Sequence, residues 1–92
     1  MKEWKHLFSV STLKSGYELF CLDCIQQLSS YEFIVKTIKN YHVKLDIVDG
    51  QIVNIQCNCH TYENGELCAH IAACFIFMEY QALSMSLQYQ KV

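Results

Sequence analysis

Residues 43–59 read VKLDIVDGQIVNIQCNC, and this stretch predicts two antiparallel strands that lead to a pair of cysteines. Apolar and polar side chains alternate over residues 43–47, which is the pattern of a half-buried strand. Residues 52–57 form the second predicted strand. Between them lies an Asp49-Gly50 pair, a strong signal for the turn of a hairpin.

The length of the hairpin loop decides which side chains share a face of the sheet. A two-residue loop would set Leu45 opposite Asn54 and so place an apolar row beside a polar one. A three-residue loop over residues 48–50 pairs Leu45 with Val53 and keeps one face apolar. We therefore predict the three-residue loop, with Cys57 on the core side.

Two closely spaced pairs of metal-binding residue types follow the hairpin. Residues two apart on a strand point to the same side, so Cys57 and Cys59 can face one ion. Cys68 and His70 fall at the start of a predicted helix, where the helix dipole and free N–H groups favour a thiolate. Structural zinc sites use four sulfur or nitrogen ligands in a tetrahedron. The predicted ligands of one structural zinc ion are Cys57, Cys59, Cys68 and His70.

Other interpretations of these residues remain open. The cysteines alone would also suit a buried core, because free cysteine behaves as a small apolar residue. His60 follows Cys59 directly, and adjacent residues of an extended segment do not easily face one ion, so we expect it to face solvent. His6 and His42 have polar neighbours and are predicted surface residues. The remaining cysteines are predicted packing residues, with a redox or metal role as the alternative: Cys21, Cys24 and Cys74.

The rest of the chain predicts an α+β fold. Residues 7–21 have a helical period, residues 32–39 are rich in β-forming types, and residues 67–80 form an apolar second helix. We predict a four-stranded antiparallel sheet with an N-terminal and a C-terminal helix, and a zinc ion that ties the last strand to the last helix. The predicted domain covers residues 1–83, and residues 84–92 are a tail or a helix extension.

Three local features of this fold are less regular. Ser9 or Ser11 is the expected N-cap of the first helix, whereas Gly16 in its interior costs roughly 1 kcal/mol relative to alanine. Residues 24–29 are a short segment of mixed character. A turn is predicted at residues 39–40 and another at residues 64–65.

Charge and composition argue against several functions. The 92 residues include seven lysines and no arginine against nine acidic residues, with a net charge of −2. This balance does not favour strong binding to nucleic acid, because proteins that bind phosphate strongly usually have clustered basic residues. The first residues lead into no apolar signal segment, and the apolar run 71–78 is too short to span a membrane. We expect a cytoplasmic protein without a membrane partner, whose cysteines are reduced.

The order Cys-x-Cys, loop, Cys-x-His and apolar helix resembles the SWIM zinc finger. Residues 47–52 and 70–73 are also similar to the family, and the N-terminal part resembles SWIM proteins of Gram-positive bacteria, so the resemblance reaches to about residue 82. It implies that Cys57, Cys59, Cys68 and His70 are the zinc ligands. Two positions differ from what the family often has: His60 replaces proline, and Ala69 replaces a basic residue.

The resemblance also implies classes of function. SWIM domains occur alone or attached to Swi/Snf-type helicases, transposases and plant transcription factors, with proposed roles in DNA binding and protein–protein interaction. We expect a non-catalytic module that binds a protein partner, within a nucleic-acid-processing system. Direct DNA binding is the alternative, and it is weakened because Ala69 removes a basic side chain beside the metal. We do not expect a small-molecule substrate.

Overall fold

The described residues form two α-helices and one sheet. The computed structural model describes residues 4–59 and 67–90, with residues 84–90 as helical backbone. The elements are a 3-10 turn (Lys5–Leu7), α1 (Val10–Cys21), β1 (Ile25–Ser29), β2 (Glu32–Lys36), β3 (Asn40–Val48), β4 (Gln51–Cys57) and α2 (Ala69–Gln90). The four strands are antiparallel and lie in the order β1-β2-β3-β4. The predicted α+β fold is therefore confirmed.

Helix α1 begins at Val10, three residues later than predicted. Ser9 is its N-cap, and its Oγ accepts a hydrogen bond of 3.2 Å from the backbone N–H of Thr12. Leu7 belongs to the 3-10 turn, and Phe8 has the extended backbone (φ −117°, ψ 147°) that separates the two helical segments. Of the two predicted caps, Ser9 is thus the one in use.

Strand β1 occupies the segment of mixed character. Ile25 is its only buried residue, and the exposed Gln26 and Gln27 hide any apolar alternation. Its pairing with β2 is also irregular, with a register shift between Gln27 and Ser29. The strand forms because β2 offers a paired edge, a tertiary contact that residues 24–29 alone do not reveal.

The connection from β2 to β3 turns earlier than predicted. Strand β2 ends at Lys36, and the chain bends over residues 37–39 before β3 begins at Asn40. The Thr37 hydroxyl donates a 2.8 Å hydrogen bond to the carbonyl oxygen of Lys39. A threonine side chain thus stabilises this turn, and Asn40 belongs to the strand rather than to the turn.

The prediction of a three-residue loop between β3 and β4 is wrong. Strand β3 runs to Val48 and pairs with Gln51, so only Asp49 and Gly50 form the turn. Both have positive φ, at 53° and 77°. This is the combination that a two-residue type I′ turn requires, and aspartate and glycine are the residues that tolerate it.

A β-bulge gives the sheet the same apolar face that we expected a three-residue loop to preserve. The register shifts between Asp46 and Ile47, so that Leu45 lies opposite Ile55 instead of Asn54. Strand β4 accommodates the extra residue at Val53, which is exposed. The expected side of Cys57 is correct despite the wrong register, because Cys57 is buried.

Replacement of Gly50 should test the two-residue turn. A Cβ at this position would meet no atom within 4 Å, but the φ of +77° is strained for any residue with a side chain. Gly50→Ala should therefore lower the free energy of unfolding by about 1–2 kcal/mol, and Gly50→Asn by less. Urea titrations of the three proteins measure this difference. Equal losses for alanine and asparagine would contradict the turn geometry.

The core lies between α2 and the inner face of the sheet. Residues 71–76 of α2 are all buried, as the sequence predicts, and they face four buried sheet residues: Phe33, Val35, Val43 and Leu45. Trp4 closes one end of the core, where its ring stacks on Phe75 at a centroid distance of 5.2 Å. The sheet and α2 are thus held together by apolar packing next to the two cysteine pairs.

Helix α1 packs directly against α2 at Gly16. An added Cβ at Gly16 would lie 2.9 Å from the Cβ of Ala72 and 3.1 Å from the backbone nitrogen of Ala73. Glycine is therefore required where the two helices approach closely. The helical cost predicted for Gly16 is offset by this contact.

Helix α2 is longer than predicted. It spans Ala69–Gln90, so the residues after Leu83 extend the helix, one of the two predicted alternatives. Among the described helices, none is both long enough and apolar enough to cross a membrane.

Candidate metal centre

The two pairs of metal-binding residues meet where β4 ends and α2 begins. Cys57 is the last residue of β4, Cys68 directly precedes α2, and His70 is the second residue of that helix. One potential ligand atom from each residue lies within 4.8 Å of the others in the cluster Cys57, Cys59, Cys68 and His70. For Zn–S bonds of about 2.3 Å, tetrahedral ligand atoms stand roughly 3.8 Å apart, so small side-chain shifts would close the site around one ion.

The first pair is positioned by strand β3. Cys57 lies opposite Val43 in the ladder, which turns its side chain into the core, and it is 6% exposed. Beyond this last pair, the backbone N–H of His42 donates a 2.8 Å hydrogen bond to Oδ1 of Asn58. A side chain thus continues the ladder past the end of β4, and Cys59 follows it into the buried interior.

The second pair is positioned by the first turn of α2. The carbonyl oxygen of Cys68 accepts a 3.2 Å hydrogen bond from the backbone N–H of Ala72. The backbone N–H of Ile71 donates to the Cys68 sulfur, in the manner of an N-cap side chain. This hydrogen bond agrees with the expectation that the start of the helix favours a thiolate at Cys68.

The pKa values of Cys57 and Cys68 indicate how much negative charge the protein groups at this site stabilise. The pKa of Cys68 is lowered to about 4, most strongly by a hydrogen bond from Cys57, and His70 and the Ile71 N–H contribute to this lowering against the opposing effect of burial. The same hydrogen bond, together with burial, raises the pKa of Cys57. The protein groups by themselves therefore stabilise one thiolate in this pair, and further thiolates need a cation beside them.

His70 supplies an independent sign that the cluster suits a metal ion. Its Nδ1 is buried and has no hydrogen-bond partner within the described residues. An unsatisfied buried polar atom is costly, and a bound cation would satisfy it. Three soft thiolates and one imidazole are also a donor set that suits Zn²⁺.

Comparison with known families agrees with this geometry. The family model of the SWIM zinc finger matches residues 41–77, which include Cys57, Cys59, Cys68 and His70. These residues form a SWIM zinc finger. The match runs from the start of β3 into the middle of α2, and no curated protein or solved structure significantly matches the chain.

The SWIM match and the cluster together indicate one structural zinc ion, as the sequence predicts. The assignment of the four side chains as its ligands agrees with the distances and stays a prediction. The match does not extend to α1, β1 or β2, so the predicted resemblance of the N-terminal part and the domain limits 1–83 also stay predictions.

The other cysteines differ in their surroundings. Cys74 is fully buried in α2, and burial raises its pKa, so it packs as predicted. Cys24 packs against the edge of the core. Cys21 is exposed at the end of α1, and its prediction as a packing residue is wrong. The helix period that places Phe20 towards α2 turns the next residue to solvent.

The predicted surface histidines are confirmed where the structure describes them. His6 is exposed. His42 is exposed on the outer face of the sheet, where its Nε2 lies 2.6 Å from a carboxylate oxygen of Glu32. The predictions for His60 and for the turn at residues 64–65 lie outside the described residues.

Two residues beside the site were missed by the sequence analysis. The ring of Tyr41 stacks on the His70 imidazole at a centroid distance of 4.1 Å. Asn58 carries the hydrogen bond to β3 described above. A signal for Tyr41 did exist, because the inward alternation of Val43 and Leu45, extended by two residues, places Tyr41 on the same side.

Proposed function

We propose that this chain is a non-catalytic protein-interaction module whose zinc ion fixes the position of α2 against the sheet. The observation that carries the proposal is an apolar groove between α1 and the second half of α2, away from the metal. Zinc at the start of α2 would hold the helix that forms one wall of this groove. The metal then has a structural role, and the groove is the binding surface.

The groove combines open space with exposed apolar side chains. It encloses about 170 Å³ and is lined by Trp4, Tyr17, Phe20, Ile76, Glu79, Tyr80 and Leu83. Apolar cavities of about 150 Å³ accept a benzene ring, so this volume can hold one large apolar side chain. Tyr80 and Leu83 are 57% and 59% exposed, which is costly for an apolar groove unless a partner covers it.

The charges in and around the groove indicate what kind of partner it would bind. Glu79 accepts a 2.9 Å hydrogen bond from Nε1 of Trp4 and lies 3.9 Å from Nζ of Lys5, so groups of this chain already pair with it. Residues 80–83, which continue α2, contain no charged residue. Such a surface favours an apolar peptide segment that inserts an aromatic or branched aliphatic side chain.

The donor set supports a structural rather than a catalytic metal. Catalytic zinc sites have three protein ligands and an open position for water. Three cysteines and one histidine within 4.8 Å of one another would fill all four positions. We therefore propose that the protein is not an enzyme.

Direct DNA binding, the alternative function, would depend on the lysines of the sheet. Lys44 lies on the exposed face opposite Glu32 and two residues before Asp46, so acidic groups offset its charge. Lys36 is paired with Asn40 and has a less acidic setting. These scattered lysines do not make the continuous basic surface that phosphate binding favours.

A displayed library of random peptides, selected on the zinc-loaded protein, tests the groove. We expect enriched peptides that share an aromatic or large aliphatic residue and that lose at least about tenfold in affinity for Leu83→Glu. Leu28→Glu is the matched control, because Leu28 is 49% exposed on β1 outside the groove, and it should bind normally. Peptides bound equally by both variants, or no enrichment at all, would contradict the proposal.

The same preparation separates the two functions. Fluorescence anisotropy with duplex and single-stranded DNA at low salt should show no binding that weakens steeply as salt rises. Phosphate contacts would produce such a dependence. A steep salt dependence whose slope falls by about one in Lys36→Gln would favour the DNA-binding function instead.

A further inference from the structure

Two residues at the start of β3 contact the two halves of the metal site: Tyr41 stacks on His70, and His42 binds Asn58 between Cys57 and Cys59. We propose that Tyr41 is a positioning residue, whose aromatic ring fixes the plane of the His70 imidazole for zinc binding. The ring planes of the two residues differ by 24°, and their centroids are 4.1 Å apart. Tyr41 itself is not among the four clustered residues that could hold the ion. It acts through His70.

Strand β3 gives Tyr41 a fixed position. Tyr41 pairs with Val35 of β2, and its neighbour His42 pairs with Ile34, so ladder contacts hold the backbone on that side. On the other side, the N–H of His42 donates to the Asn58 side chain, which lies between two of the clustered cysteines. Two consecutive residues of β3 therefore contact one ligand directly and the connection between two others.

The stacking contact fixes a rotation that the protein backbone leaves free. The χ2 angle of histidine has a broad distribution, so a helix start alone does not set the plane of the imidazole. Zinc needs a ring nitrogen aimed at the ion, and ordering the ring before binding lowers the cost of binding. A stacked partner at 4.1 Å restricts this rotation whether or not it carries a hydroxyl group.

The expected consequence is a loss of zinc affinity when the ring is removed. Groups that orient metal ligands typically change affinity by about 10–100-fold when mutated. Tyr41→Leu should fall in this range, measured by competition with a chromophoric zinc chelator. Tyr41→Phe keeps the ring and should bind zinc almost as tightly as the unmodified protein. Tyr41→Met, an unbranched side chain without a ring, serves as a second ring-deletion variant if the leucine variant does not fold.

General loss of stability must be separated from loss of positioning. Ile47→Ala is the matched control, because Ile47 is a partly buried residue of the same strand that packs on the core and lies outside the metal cluster. The second measurement is the visible absorption spectrum of the cobalt-loaded proteins, which reports the geometry around the ion rather than stability. We expect the ring deletions to alter the d–d bands, whereas Tyr41→Phe and Ile47→Ala leave them unchanged.

Two results would overturn the proposal. In the first, the ring deletions match Ile47→Ala in zinc affinity at equal stability and show the spectrum of the unmodified protein. In the second, Tyr41→Phe behaves like Tyr41→Leu, which would assign the effect to the hydroxyl group instead of the ring.

Discussion

Chelation of zinc at neutral pH should unfold most of this protein, and renewed addition of zinc should refold it. The cluster joins the end of β4 to the start of α2, and all three of its cysteines are buried. Structural zinc contributes about 10–16 kcal/mol of apparent binding free energy in zinc-finger peptides. That is comparable with the roughly 5–15 kcal/mol by which whole domains are stable, so a small domain has little stability without it. Circular dichroism melting with and without a chelator measures the effect.

Single substitutions should locate this effect in the cluster. Cys68→Ser should melt like the chelated protein, because it replaces a predicted thiolate ligand with a hydroxyl group that can still cap α2. Cys21→Ser is the control, since Cys21 is exposed and lies outside the cluster, and it should melt like the unmodified protein. Similar melting curves for the two variants, or a melting temperature that a chelator does not change, would contradict structural zinc.

Gly16→Ala should destabilise the protein although alanine is the better helix former. The new Cβ would stand 2.9 Å from the Cβ of Ala72 and 3.1 Å from a backbone nitrogen of α2, so the helices must separate. Overpacking of this kind costs about 1–3 kcal/mol, of which helix propensity returns at most about 1 kcal/mol. Gly16→Val should cost more, because it is larger and gains less helix propensity.

An exposed position in the same helix provides the comparison. Ser15 precedes Gly16 and faces solvent, so Ser15→Ala should leave stability unchanged or raise it slightly. Urea unfolding of the zinc-loaded proteins gives the free energies. If Gly16→Ala were as stable as Ser15→Ala, the close approach of the two helices would be wrong.

The metal centre was predictable from sequence because its information is local. Two cysteines at alternate positions mark a strand end, and a cysteine and a histidine at alternate positions mark a helix start. These two pairs limit which ion can bind and the geometry around it. The structure brings together all four predicted side chains. The positions of α1 and of β2 to β4 were likewise predictable from periodicity, to within a few residues at their ends.

What sequence analysis missed depends on contacts between distant segments. Strand β1 lacks an alternating pattern and needs β2 as its partner. The hairpin prediction assumed a regular ladder, whereas a bulge beside Ile47 allows the shorter turn at Asp49 and Gly50. The need for glycine at position 16 comes from Ala72, which is far along the chain. No local pattern contains these three pieces of information.

X-ray absorption spectroscopy at the zinc edge, with metal analysis of the purified protein, tests the central claim most directly. We predict one zinc ion per chain with three sulfur ligands and one nitrogen ligand, in agreement with the cluster of three cysteines and one histidine. A folded protein that contains no zinc, or a zinc shell with oxygen in place of one of these sulfurs, would contradict it.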